Sequence, residues 1–302
     1  MKRRFVSLVL LFVAAASAVL ASPQQKPLTS KGDGPYFIVD YINFRGKENR
    51  TYLEFYVQVQ FNELQFIKHA SGFRAEYQLT FEILDETGSF VDGRSLRDVA
   101  DVGTFAETLA MERARTSLFA FTVEPGVYQI KAQITDVETR HSSTVEDLVQ
   151  TDNYKTRGLT LSDIQFSRKI LPATEPDAYV KNKRYIEPNP RRIFAPGIPQ
   201  NFYAYFEVYN LDHPRNREKA TYTTLYIFRN AKGDTVREIR RTSVKPGLSS
   251  AHSVQLPIEQ FSGGIYHLTV RIRDDDTAQT SEATSSFTIV KHALSRTTAQ
   301  TR

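Results

Sequence analysis

The sequence predicts an all-β protein built as two tandem antiparallel β-sandwiches. Three observations carry that prediction. Apolar and polar residues alternate with period two over most of the chain, the pattern of half-buried strands. Gly, Pro, Asn and Asp punctuate the alternating runs at short spacing. Two elements also occur twice, in the same order. Residues 126–136 read GVYQIKAQITD and residues 264–274 read GIYHLTVRIRD. Tyr128, Ile130, Ala132 and Ile134 share one face of the first copy, and Tyr266, Leu268, Val270 and Ile272 one face of the second. Ala75, Tyr77, Phe81, Gly88 and Val91 match Ala220, Tyr222, Tyr226, Gly233 and Val236 at a constant offset of 145. Repeated elements in repeated order mean two copies of one fold.

Lys2, Arg3 and Arg4 precede an uncharged apolar run, and Val19-Leu20-Ala21 offers small residues for cleavage. Residues 1–21 are therefore expected to be a secretory signal peptide. The alternative, a retained anchor, would use residues 5–23, close to the minimum span of ~17 residues and diluted by Ser and Ala. No later stretch is long and apolar enough to span a membrane as a helix. Residues 22–34 form a polar leader expected to be disordered.

The first domain is expected over residues 35–152. Residues 36–44 and 52–61 are strands. The second of these sets Leu53, Phe55, Val57, Val59 and Phe61 against Glu54, Tyr56, Gln58 and Gln60. A short strand follows at 64–68, a turn at Ser71-Gly72, and a long strand at 73–83. Asp85-Glu86-Thr87-Gly88 reads as a hairpin loop returning through residues 90–97. Residues 104–115 fit a helix or a strand with a loop equally well. Strands at 118–123, 127–136 and 144–150 complete the domain.

Residues 153–157 read as a linker and 158–291 as the second domain. Leu159 and Leu161 share one parity, and Ile164 and Phe166 the other, so Ser162-Asp163 marks a β-bulge. Residues 181–192 are basic and broken by Pro188 and Pro190, as expected of an edge or loop. Residues 202–210, FYAYFEVYN, carry large side chains on both faces and should be covered on both. A charged loop at 212–219, the repeated hairpin, the repeated strand and a last strand at 287–291 follow; residues 292–302 are a polar tail. Short strands at this spacing suit the immunoglobulin/fibronectin-like sandwich.

The chain has no Cys and no Trp. Disulfides, thiolate metal sites and lipid attachment through Cys are excluded, so the core alone must hold the fold. The three basic residues of the n-region leave with the signal peptide, and the remaining balance of 36 Lys and Arg against 34 Asp and Glu is +2. That gives no basic excess for nucleic-acid binding. The distribution is uneven. Residues 22–152 carry 13 basic against 20 acidic residues, net −7, and residues 153–302 carry 23 against 14, net +9.

No nucleophile elbow, zinc-protease helix, phosphate loop or dinucleotide fingerprint is present. The six His are scattered, and no cofactor is expected. Asp274, Asp275 and Asp276 offer clustered carboxylates to a hard cation, but without the spacing of a calcium loop they read first as a solvated turn. Tyr179, Lys181, Lys183, Arg184, Tyr185, Arg191 and Arg192 form the densest basic and aromatic cluster. It is the candidate ligand-binding edge, weighed against an edge strand guarded by charge.

The pieces YLEFYVQVQFNELQF (52–66), EPGVY (124–128), GLTLSDI (158–164) and FYAYFEVYNL (202–211) resemble, in order, the β-domain portion of bacterial GWxTD-domain proteins. The naming motif itself is absent, since the chain has no Trp. The resemblance implies an exported, periplasmic or extracellular β-rich envelope protein with no catalytic residues to carry over. The expected function is a non-enzymatic interaction or scaffold module whose partner is another envelope protein or an anionic polymer. The alternative is a carbohydrate or small ligand bound in the cleft between the domains, and an enzyme of unrecognised class ranks third.

Overall fold

A computed structural model describes residues 26–195, 201–212 and 219–291. The expected signal peptide, the start of the expected leader, most of the charged loop after Asp212 and the expected polar tail lie outside the described residues.

The first domain holds β1 (Leu28–Thr29), β2 (Lys31–Gly32), β3 (Phe37–Arg45), β4 (Thr51–Gln60), β5 (Ile67–His69), β6 (Gly72–Leu84), β7 (Phe90–Val102), β8 (Ala114–Val123), β9 (Val127–Asp136) and β10 (Ser142–Gln150). The second holds β11 (Thr160–Leu161), β12 (Gln165–Pro172), β13 (Val180–Lys181), β14 (Arg184–Pro188), β15 (Ile193–Phe194), β16 (Asn201–Tyr209), β17 (Thr221–Asn230), β18 (Thr235–Val244), β19 (Ser249–Pro257), β20 (Gly264–Asp274) and β21 (Thr280–Ile289). Sheet A runs β1-β3-β4-β8, and sheet B runs β2-β10-β9-β6-β5 with β7 also on β6. Sheet C runs β11-β16-β12-β14-β13 with β19 on β16, and sheet D runs β15-β21-β20-β17-β18. Every pairing is antiparallel except β15 with β21.

Sheets A and B enclose one core, in which Phe55, Phe81, Phe119 and Phe121 pack ring on ring. Sheets C and D enclose a second, centred on Phe166, Phe202, Phe228 and Phe287. The repeat holds at the level of register. Tyr77 pairs with Asp136 and Tyr222 with Asp274, so the offsets of 145 and 138 meet in the same ladder position. Asp85 and Asn230 cap their hairpin loops alike, each accepting two backbone N–H bonds, with Gly88 and Gly233 at φ 80° and 90°. Tyr128 and Tyr266 each donate to a carbonyl four residues upstream, Glu124 and Ser262, the arrangement of a tyrosine corner. Tyr266 is buried, whereas Tyr128 is only half-buried.

Several expectations need correcting. Part of the leader is ordered: residues 28–29 and 31–32 add short strands to sheets A and B. Residues 104–115 split three ways. Thr104 and Glu107 form a reciprocal capping box on one helical turn, α1 (Phe105–Thr108), a loop follows, and β8 begins at Ala114. The short strand lies at 67–69 because residues 61–63 turn in a 3-10 helix. The bulge is present. Leu161 faces Val208 and Gln165 faces Tyr205, so three residues oppose two.

The outer faces of sheets A and C are not solvated, and this fixes how the domains sit. Ile42, Phe44 and Tyr56 from sheet A pack with Ile186 and Tyr205 from sheet C, flanked by Tyr52, Leu118, Ile170, Tyr179 and Ala251. The molecule is therefore four sheets deep, in the order B, A, C, D, with a third apolar layer between the sandwiches.

Candidate functional site: the junction between the sandwiches

The middle layer is lined with charge, and its ion pairs cross between the domains. Asp40 projects from the outer face of β3. Arg192, at φ 53°, grips it with two hydrogen bonds, Nη2 to Oδ1 at 2.6 Å and Nε to Oδ2 at 3.1 Å. A third bond runs from Arg192 Nη1 to Ser285 Oγ at 2.7 Å. The Arg192 side chain is 2% exposed and that of Asp40 4%. Burial raises the Asp40 pKa, and the Arg192 charge opposes it.

Glu54 and Tyr56, two residues apart on β4, face the same way. Lys181 reaches them from the turn end of β13, donating to Glu54 and, at 2.7 Å, to Tyr56 Oη. Tyr56 donates to Glu54 and accepts from Gln165 Nε2 at 2.8 Å. Burial raises the Tyr56 pKa well above its ordinary value, reinforced by Glu54. Burial lowers that of Lys181, with Glu54 opposing. The Lys181 ammonium lies 4.7 Å from the Phe44 ring centre. Asn182 and Lys183, at φ 47° and 60°, form the two-residue turn between β13 and β14. Both residues in the left-handed region make a type I′ hairpin.

At the other end of the layer, the bulge presents Asp163 to the end of β3. Asp163 Oδ2 accepts from Asn43 N and Nδ2, both at 2.8 Å, and Asp163 N donates to Asn43 O at 3.1 Å. The expected linker is docked rather than free. Tyr154 is 1% exposed, stacks edge-on against Tyr209, and donates to Asn43 O at 3.0 Å. Asp152 stands beside Asp163, and its pKa is pushed up to about 7, first by burial and then by the Asp163 charge. A cavity of about 250 Å³ opens here, lined by Tyr41, Gln150, Asp152, Asn153, Asp163 and Ser285 among others.

The structure divides the basic and aromatic cluster instead of presenting it as one edge. Arg192 is buried and Lys181 largely covered, each in an ion pair with the first domain. Tyr179 is half-buried and donates to Thr116 O at 2.7 Å, while Tyr185 packs edge-on against it at 6.2 Å. Arg184 is partly covered, and Lys183 and Arg191 are exposed. Strand alternation and the tight turn separate residues that are adjacent in sequence.

The carboxylates of Asp274 and Asp276 are bound to an internal cation. Lys245 Nζ, with its side chain 0% exposed, donates to Asp274 Oδ1 at 2.7 Å and Asp276 Oδ2 at 2.8 Å. Burial alone would lower the Lys245 pKa, but the two carboxylates outweigh it and hold it above its ordinary value. Asp275 accepts from Thr221 Oγ1 at 2.9 Å. Among the described residues, no three His, Cys, Asp or Glu side chains gather where a metal ion would fit.

Sequence reasoning missed Asp40, Glu54, Tyr205 and Lys245. The signal for Asp40 and Glu54 was faint, a carboxylate on a strand face expected to be wet. Lys245 follows the end of β18, where nothing local marks it. Tyr205 had a signal, the large side chains on both faces of 202–210.

No family model matches this chain, and no curated protein matches it. Among solved structures it is similar to the C-terminal domain of wzt, at 14% identity over 44% of this chain and 83% of that one, TM-score 0.27. It is similar to the fibronectin(III)-like modules of Clostridium thermocellum CbhA, at 11% identity over 80% of this chain and 87% of that one, TM-score 0.21. It is also similar to a Bacteroides uniformis beta-glucuronidase, at 12% identity over 79% of this chain and 26% of that one, TM-score 0.24. These scores are low, and the β-sandwich fold rests on the sheets and cores described above.

Proposed function

We propose that this chain is an exported, non-catalytic interaction module of the bacterial envelope in which two sandwiches act as one rigid body. The observation that carries the reading is the buried middle layer, with its cross-domain pairs Arg192–Asp40 and Lys181–Glu54. Burying charge is costly, and each pair holds only in one relative placement of the sheets. Such a layer suits a part that sets the distance and angle between two surfaces. The basic n-region with its apolar run supports export, and the strand motifs that resemble the GWxTD β-domain support the envelope. Among the described residues no helix is long and apolar enough to cross a membrane.

A second reading, a small carbohydrate between the domains, draws on the cavity of about 250 Å³ and its Asn, Gln, Asp and Ser lining.

The test uses the full chain without its first 21 residues. Affinity capture from an envelope extract is expected to return one partner in stoichiometric amount. Capture is expected to fail when Arg192→Met loosens the junction and to return when Asp40→Leu is added. Turnover of a glycoside, ester, peptide or phosphate ester by the purified chain would sink the non-catalytic reading. Saturable binding of a monosaccharide that is lost in Gln150→Ala would favour the second.

A further inference from the structure

We propose that a groove between the two sandwiches binds an anionic polysaccharide whose carboxylates are spaced along the chain. The proposal rests on the module reading and names the partner's chemistry. The groove lies where the start of β8 faces β12. One opening of about 690 Å³ is lined by Arg113, Arg115, Arg168, Lys169 and Tyr203, with Glu112 and Glu187. Through Glu112, Ala114 and Arg168 it is shared with a second opening of about 410 Å³ that adds Arg191, Gln58, Gln60 and Asn189. Five cations and two carboxylates thus line one continuous depression. The acidic first domain and the basic second domain both contribute cations to it.

Three features choose the occupant. Arg113, Arg115 and Arg168 stand beside Glu107, Asp98 and Glu187, so the positive excess that selects a polyanion is carried by the exposed Lys169 and Arg191. The two interspersed carboxylates, with Arg168 Nε 4.0 Å from Glu187, lower the charge density and disfavour a closely phosphorylated or sulfated strand. The amide nitrogens of Gln58, Gln60 and Asn189 already donate to Thr116, Met111 and Ile193, which fixes the amides and leaves their oxygens as acceptors for hydroxyl groups. Tyr203 lines the groove as a partly exposed ring, while Phe61 is buried beneath Arg113 at 5.1 Å. One open ring gives a nucleic acid little to stack on. Two of the cations are held in place: Arg115 Nη2 donates to Val99 O at 2.7 Å while its Nε lies 4.0 Å from Asp98, and Arg113 pairs with Glu107. Lys169 and Arg191 are exposed, and they are free to turn toward a ligand.

The experiment measures binding of the full chain without its first 21 residues to immobilised oligogalacturonate. The comparison probes are dextran, polyglutamate and single-stranded DNA. Binding to oligogalacturonate is expected to weaken as salt rises through ~0.1 M, where the screening length is ~10 Å. Lys169→Glu with Arg191→Glu should lose about tenfold or more in affinity with an unchanged melting temperature, because neither residue is buried. Lys183→Glu, exposed but outside the groove, should lose little. Equal loss in both variants, equal binding of polyglutamate or DNA, or no binding to oligogalacturonate overturns the site. If the envelope partner is still captured in that last case, the module reading survives. Cleavage of the oligogalacturonate would instead overturn the non-catalytic reading and leave the groove assigned.

Discussion

His252 shows how one largely covered side chain sets a pH dependence. It stacks on Phe206 at 5.0 Å and bonds through Nε2 to Tyr222 Oη at 2.9 Å. Burial, helped by the charges of Arg184 and Arg241, lowers its pKa from 6.5 to about 4. The unfolded chain therefore binds the proton first. The stability it contributes is complete above about pH 6.5 and is lost as pH falls from there toward 4, at most about 3 kcal/mol. Denaturant midpoints from pH 8 to 4 should fall in the parent and fall less steeply in His252→Phe, which keeps the stack. Lys245 makes the opposite kind of case, since its charge is needed. Lys245→Met takes the ammonium away from buried Asp274 and half-buried Asp276, and should cost about 3–5 kcal/mol in urea unfolding. A midpoint matching the parent would show that those carboxylates are solvated after all.

At the scale of the element, the strands and their repeats were legible because period two and turn chemistry are local. Asp85-Glu86-Thr87-Gly88 and Asn230-Ala231-Lys232-Gly233 announce their loops through the left-handed glycine and the capping side chain. Tyr266→Ala should cost about 3–5 kcal/mol by analogy with deleting a buried ring, and Tyr128→Ala less, since that ring is half-exposed. Equal costs would contradict the burial difference. The type I′ turn offers a gain: Lys183→Gly relieves a left-handed backbone and should stabilise by about 0.5–1 kcal/mol, read as a raised melting temperature. The second faces of the strands were not legible. Glu54 and Tyr56 read as a wet face because the residues that cover them, Gln165 and Lys181, lie more than a hundred positions away. Lys181 and Lys183 read as one cluster, yet the strand sends the first inward and the turn sends the second out. The one honest signal of the middle layer was the strand 202–210, whose tyrosines had no place in its own core.

For the whole molecule, the middle layer predicts one cooperative unit. Calorimetry should give a single transition for the two sandwiches. Arg192→Met should lower stability by about 3–5 kcal/mol by stranding Asp40, and Asp40→Leu added to it should recover much of that loss. Two separate transitions in the parent chain would refute the coupling.

The same layer imposes an order on biogenesis. The strands that build the first sandwich are complete at Gln150, while Ile186 and Tyr205, which cover Ile42, Phe44 and Tyr56, arrive later. A newly emerged first sandwich thus shows an uncovered apolar face, with Asp40 and Glu54 bare beside it, until the chain behind it folds. Exposed surface of this kind is what holding chaperones bind and what drives aggregation. A chain interrupted after residue 152 should therefore depend on a chaperone for solubility, a dependence that the finished protein has outgrown.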